Sequence, residues 1–110
     1  MTKTKTPWQS PGESEPFALD VRGAYLRRTD LSLANLERAN LSRADFTNAI
    51  FRGANFKDAV LEGTILRGAD LTGAENLTLG QLARAILDEK TKLPEKFSIE
   101  EILRNRQSVA

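Results

Sequence analysis

Four aspartates, Asp30, Asp45, Asp58 and Asp70, are the side chains of this chain best suited to acid–base chemistry. The chain has no histidine and no cysteine, which removes the Ser-His-Asp triad, the cysteine nucleophile and the commonest metal ligands. Paired carboxylates could still hydrolyse a substrate if a cleft separated their pKa values. These aspartates instead occupy outward or corner positions of a sequence repeat, and an aspartate at a turn usually bonds its own backbone. The sequence therefore predicts a protein that is not an enzyme and holds no metal or other cofactor.

Arginines are the second group that could do chemistry, by binding an acidic partner. The candidate residues are Arg27, Arg28, Arg43 and Arg67. A solvated polar face is the alternative reading of the same residues. Either reading depends on an element that brings these distant positions together.

A five-residue period in the sequence indicates a structural element that could bring these positions together. Every fifth residue from Val21 to Leu71 is large and apolar, and a small residue stands two positions before nearly every one. Five residues exceed one turn of an α-helix, and an odd number reverses the face of a strand. The pattern is buried if the chain turns a corner every five residues and forms a coil. The predicted core centres after Val21 are Leu26, Leu31, Leu36, Leu41, Phe46, Phe51, Phe56, Leu61, Leu66 and Leu71.

Runs such as Ala39-Asn40-Leu41-Ser42-Arg43 and Ala44-Asp45-Phe46-Thr47-Asn48 resemble the pentapeptide repeat, A(D/N)LXX. The resemblance covers residues 17–76. It implies an all-β solenoid, a right-handed quadrilateral β-helix with four pentapeptides per coil, here of about three coils. Residues 20 apart then stack, so that one side carries Arg27, Thr47 and Arg67, flanked by Arg28 and Arg43.

Both ends of the repeat change character. Residues 1–16, rich in proline, are expected to form a flexible tail, and Trp8 either folds over the first coil or leaves that end bare. Asn76 puts a polar residue at a core position, so the coil is expected to end there. A C-terminal helical cap is expected over residues 77–110.

The first cap helix is predicted from Leu79, Leu82, Ala83, Ile86 and Leu87, which follow an amphipathic pattern. Thr78 with Gln81 forms a capping box at its start, and Ser98 with Glu101 marks a second, shorter helix. Terminal caps keep a solenoid soluble. Dimerisation through this end is the alternative, because relatives that act on type II topoisomerases pair through their C-terminal ends.

Two functions remain. The first is a scaffold that presents a rigid β-helix face to an unidentified protein partner. The second, implied by the quinolone-resistance branch of the family, is a DNA mimic that modulates DNA gyrase. Mimicry needs a strongly negative surface, whereas residues 17–76 contain eight acidic and eight basic side chains. The scaffold is therefore favoured, and a homodimer through one end of the solenoid is left open.

Nucleic-acid binding and membrane insertion are both disfavoured. The net charge is only +1, and no aromatic residues interleave with the basic ones as in single-strand binders. No segment approaches the ~20 apolar residues of a membrane span, and an N-terminal secretory signal is not evident. The expected location is the cytoplasm.

Overall fold

Parallel β-bridges between residues one coil apart organise the protein. The structure, a computed structural model, describes the backbone of residues 18–109 and the side chains of residues 18–104. The predicted tail, with Trp8, lies outside this range. The bridges form four ladders, which run Asp20–Asn40–Val60, Tyr25–Asp45–Ile65–Ile86, Asp30–Ile50–Asp70–Lys92 and Asn35–Asn55–Glu75.

Each ladder defines one side of the coil. Side 1 comprises residues 19–23, 39–43 and 59–63; side 2, residues 24–28, 44–48 and 64–68; side 3, residues 29–33, 49–53 and 69–73; side 4, residues 34–38, 54–58 and 74–76. Within the described range, each side has one bridging residue per coil, because the chain turns a corner two or three residues later.

The corners are tight turns with a left-handed residue. At the first one, Ala24 N–H donates to the carbonyl of Val21 at 3.0 Å, and Gly23 has φ 69°. A positive φ at this position is the signature of a type II turn. The same conformation recurs at Arg28, Leu33, Arg38, Arg43, Asn48 and Asp58, so a corner does not in itself require glycine.

At two glycine corners, a side chain from the preceding coil is stacked beside the glycine. A Cβ at Gly53 would lie 2.7 Å from Leu33 Cδ2, and a Cβ at Gly68 would overlap Asn48 Oδ1. Leu33 and Asn48 thus occupy the space that a larger residue would need one coil later.

The interior is filled in the alternating sizes that the sequence predicts. The buried centres are Leu31, Leu36, Leu41, Phe46, Phe51, Phe56, Leu61, Leu66 and Leu71. Leu26 differs from the expectation, because it is only partly buried. It lies in the first coil, where no described coil packs on its N-terminal side.

Three phenylalanines form the centre of this core. The ring of Phe51 lies 5.0 Å from that of Phe46 and 5.3 Å from that of Phe56. Offset and edge-on aromatic pairs at such distances are favourable beyond their buried area. The small position is held mostly by alanine. At Thr64, which holds it in the third coil, the buried hydroxyl donates to the carbonyl of Leu41 at 2.7 Å.

The C-terminal region contains two helices, α1 (Leu79–Arg84) and α2 (Ile99–Val109). The predicted capping box of Thr78 with Gln81 is confirmed. At α2, Glu101 N–H donates to Ser98 Oγ at 3.2 Å. Leu82 and Ile102 are buried, which joins both helices to the core.

Three expectations about this region are wrong. Helix α2, with 11 residues, is longer and not shorter than α1, with 6 residues. Helix α1 ends at Arg84, so Ile86 and Leu87 do not extend it, and the ladders continue beyond Asn76. Ala85 is extended, with φ −90° and ψ 166°, and Ile86 then pairs with Ile65. The helix is therefore an insertion between two parts of the coil, and residues 85–93 return to it.

Asp88 and Thr91 allow residues 85–93 to rejoin the coil, although this part of the chain has more residues than the regular repeat. Asp88 Oδ1 accepts from Gly68 N–H at 3.0 Å, a donor that elsewhere in the coil would meet a backbone carbonyl. Thr91, which is buried, donates to the carbonyl of Leu66 at 2.8 Å. Two side chains thus make hydrogen bonds that the backbone cannot make here, because the regular register of the coil is lost.

Candidate protein-interaction surface

Side 2 brings the four candidate arginines to one region, but not as a single cluster. Arg27 and Arg67 share a column with Thr47 between them. Arg28 and Arg43 stand at the two corners that bound the side. Arg43 packs its Cγ over Gly63, where a Cβ would lie only 3.2 Å away.

Tyr25 is the residue of this surface that sequence reasoning missed. It is 71% exposed, and its hydroxyl accepts a hydrogen bond from Arg27 Nη1 at 3.0 Å. The guanidinium also lies 5.7 Å from the centre of the tyrosine ring. An aromatic residue at an outward position that normally holds Asp or Asn, two residues before an arginine, was the available signal.

The arginines on and beside side 2 differ in their charge pairing from Arg22, Arg52 and Arg84, although Arg38 on side 4 also forms no ion pair within the described residues. Arg22, Arg52 and Arg84 each lie within 3.4 Å of a carboxylate. Arg27 reaches Asp45 only at 4.0 Å. Among the residues that the structure describes, no ion pair is formed by Arg28, Arg43 or Arg67. Side 2 therefore combines exposed cations with an exposed aromatic ring.

The candidate catalytic aspartates have structural roles instead. Asp30 Oδ1 accepts from the backbone and hydroxyl of Ser32, and Asp45 does the same with Thr47. These hydroxyl bonds lower the pKa of both carboxyls. A lowered pKa keeps a carboxylate charged at neutral pH, the opposite of what a general acid requires.

Asp70 and Asp58 complete the set. Burial alone would raise the pKa of Asp70, but bonds from Thr72 and the nearby Arg52 outweigh it, so the pKa is lowered. Asp58 occupies a corner with φ 58°. No two of the four lie on the same side in adjacent coils, and no group of metal-binding side chains is found in the described part of the chain.

These shifts predict a loss of stability in acid. A carboxyl whose folded pKa lies below its unfolded value of about 3.8 stabilises the fold above that value and loses this contribution as pH falls through the folded pKa. We expect the urea midpoint, followed by circular dichroism, to fall between pH 5 and pH 2. Changing Asp30, Asp45 and Asp70 together to Asn should reduce the fall, because the amide oxygen of Asn40 already makes the same bonds to Ser42. An equal fall in the variant would contradict this account.

Two further surface features complete the description. Leu33 is 81% exposed at a corner of side 3, the side that also carries Ile50. A polar groove beside α1 is lined by Lys57, Asn76 and Thr78, among others. Within the described range, no helix has the length and apolar character needed to cross a membrane.

The repeat region of the chain matches a known protein family. The pentapeptide-repeat family model matches in 8 copies, over residues 20–53, 39–75 and 49–88. No curated protein shows a significant match.

Solved structures are similar to the repeat region. One is a pentapeptide-repeat protein, Rfr23, from the cyanobacterium Cyanothece 51142: 33% identity, TM-score 0.61, over 71% of this chain and 52% of that one. Another is HetL from the cyanobacterium Nostoc sp. strain PCC 7120, which is involved in regulating heterocyst differentiation: 38% identity, TM-score 0.51, over 66% of this chain and 31% of that one. The chain thus spans about half of the first structure and about a third of the second.

Proposed function

Because the chain belongs to the pentapeptide-repeat family, we propose that it is a non-enzymatic scaffold whose side 2 binds an acidic surface of another protein. The observation that carries the proposal is the set of exposed arginines without a close carboxylate, arranged around Tyr25. Tyrosine and arginine are the residues most enriched at the energetic centres of protein interfaces. The coil also holds the backbone of these residues in place, so no loop has to be ordered when a partner binds.

Side 2 also argues against the DNA-mimic alternative. A phosphate mimic needs carboxylates in ladders along one face. Side 2 instead exposes Arg27, Arg28 and Arg67 around a single aspartate of the repeat, Asp45. Inhibition of gyrase supercoiling by the purified protein would favour mimicry over the scaffold.

We further propose that the coil has the right-handed quadrilateral form expected from the resemblance, with α1 and α2 as its C-terminal cap. The four ladders support four sides per coil. Gln81 supports the cap, because its Nε2 donates to the carbonyls of Phe56 and Ala59, both at 2.9 Å. Those carbonyls belong to the coil on which α1 rests.

The scaffold is tested by neutralising side 2. We expect the variant Arg27→Ser, Arg28→Gly, Arg67→Ser to lose capture of an acidic partner from a lysate of the source organism, read by mass spectrometry at low and moderate salt. Glycine suits position 28 because φ there is 61°. Loss of charge-assisted contacts at an interface typically costs about 2–5 kcal/mol, enough to remove the partner from a pull-down.

The matched control removes the same charge from the other sides. The variant Arg22→Ser, Arg38→Gly, Arg52→Ser also replaces two outward arginines and one corner arginine, with φ 60° at Arg38. It should retain the partner. If both variants retain it, or both lose it equally, side 2 is not the binding surface.

A further inference from the structure

Within residues 18–109, nothing pairs with the β-edge at the N-terminal end of the coil. In the second coil, Asn40 N–H donates to the carbonyl of Leu19 at 2.8 Å, and Asn40 C=O accepts from Val21 N–H at 3.0 Å. Both backbone groups of a bridging residue thus point toward the N-terminal end. The corresponding groups of the first coil belong to Asp20, Tyr25, Asp30 and Asn35, and they bond to nothing within residues 18–109.

No residue of the described range covers the apolar interior at the same end. Leu19, Val21 and Leu26 are only partly buried, whereas Leu41 and Phe46, stacked above Val21 and Leu26, are fully buried. The opposite end is covered by α1 and α2. Exposed edges of this kind pair readily with another chain.

The shape of the edge determines which kind of partner can pair with all of it. An extended peptide runs straight, so it can pair with only one side before the coil turns a corner. The segment that precedes Ala18 contains Pro7, Pro11 and Pro16, which have no N–H to donate. A second coil end has the same four sides and corners, and it fits the whole edge.

We propose that two copies of this chain associate through their N-terminal ends, related by a two-fold axis perpendicular to the coil. Strands of the two copies then run antiparallel on every side. A bridging residue with both N–H and C=O free exchanges two hydrogen bonds with its counterpart in such a pair. Four sides therefore offer up to about eight new backbone bonds.

The spiral form of the coil fixes the register of this dimer. Along its first coil, each chain rises by one strand spacing, about 4.8 Å. The coil of the inverted copy has the same handedness. The first coils of the two copies keep a constant separation on all four sides only when the start of one coil lies against the start of the other. Asp20 then lies opposite Asn35 of the second copy, and Tyr25 lies opposite Asp30 of the second copy.

Side chains are compatible with that register. No carboxylate lies directly opposite another, a pairing that would be unfavourable. Glu37 is diagonal to Asp20 of the second copy, but Arg22 of that copy pairs with this aspartate at 3.0 Å. Arg27 is diagonal to Asp30 of the second copy, a distance that long side chains span. Arg27 also approaches Arg28 of the second copy at that corner, with this carboxylate between them.

Asn35 provides the first test, since it lies on side 4 and outside the arginine surface. Asn35→Pro removes an N–H that has no partner within the described range and places the proline ring in the interface. Asn35→Ala keeps the N–H and loses the same side-chain bond to Glu37. In sedimentation equilibrium of the full chain, we expect the wild type and Asn35→Ala to dimerise. Asn35→Pro should weaken dimerisation at least tenfold, about 1.4 kcal/mol, with an unchanged circular dichroism spectrum.

The register is tested by cross-linking, because the chain contains no native cysteine. Opposed residues of such a pair have Cα atoms about 5.5 Å apart, a distance that a disulfide bridges. Oxidation of mixed Tyr25→Cys and Asp30→Cys proteins should give a cross-linked heterodimer, whereas neither variant alone should form one.

Three results would overturn the proposal. They are a monomer at all concentrations in the wild type, a dimer that Asn35→Pro leaves intact, and cross-linking of each cysteine variant with itself. Should Asn35→Pro not fold, amide exchange of Asp20, Tyr25, Asp30 and Asn35 in the wild type decides the question. Their protection should rise with protein concentration, and protection that stays high at every dilution would indicate that residues 1–17 cover the edge instead.

Discussion

Replacement of Phe51 by aspartate is expected to prevent folding. Phe51 is fully buried and lies between the rings of Phe46 and Phe56. Loss of the ring alone costs about 3–5 kcal/mol, and a buried carboxylate without a partner adds several kcal/mol more. The total rivals the about 5–15 kcal/mol that stabilises a typical domain. Circular dichroism and one-dimensional proton NMR of the purified variant should show an unfolded chain.

Leu33 provides the matched control for this change. It is also a large apolar residue of the repeat, but it is 81% exposed at a corner with φ 63°. Aspartate tolerates this conformation better than leucine does, so Leu33→Asp should fold with stability equal to the wild type or slightly higher. If Phe51→Asp folds as well as Leu33→Asp, Phe51 is not part of the core.

Replacement of Gln81 by glutamate should give the second largest effect. Glutamate keeps the capping box, since its carboxylate can still accept from Thr78 N–H as Gln81 Oε1 does at 2.9 Å. It cannot donate to the carbonyls of Phe56 and Ala59, and it sets a negative charge against them. We expect a loss of about 2–3 kcal/mol at pH 7, measured by urea unfolding.

The pH dependence of this variant separates the two roles of the residue. Only a protonated carboxyl can donate to a carbonyl, so the folded pKa at position 81 should rise above the unfolded value, about 4.3 for glutamate. A raised folded pKa gives stability that is present in acid and lost as pH rises. The deficit relative to the wild type should therefore be small near pH 4 and full at pH 7. A deficit that does not change with pH would mean that the two carbonyl bonds are unimportant.

The coil was predictable because its determinants are local and repeated. Each large centre, such as Leu41 or Phe46, and each small residue before it specifies the same turn and the same inward direction. The start of α1 was predictable for a similar reason, because Thr78 and Gln81 lie within one helical turn of each other. The absence of histidine and cysteine set limits on the chemistry in the same way, without reference to the fold.

The continuation of the coil after α1 could not be read from the same signals. Ile86 and Leu87 fit a helical spacing as well as a return to the coil, and Asn76 breaks the repeat where a core residue was due. The return depends on Asp88 reaching Gly68 and on Thr91 reaching Leu66. Those partners lie 20 and 25 residues away, and the inserted helix has removed the constant spacing that would reveal them.

By itself, then, the sequence determined the five-residue turn and the size of each interior side chain, and its lack of histidine and cysteine set limits on the chemistry. Tertiary structure alone decided that Leu33 and Asn48 lie beside Gly53 and Gly68, that Tyr25 joins Arg27 on side 2, and that no residue between 18 and 109 covers the edge of the first coil. The physical reason is that a repeat encodes the conformation of each unit locally. The space and the hydrogen-bond partners of a residue come instead from the coil stacked against it.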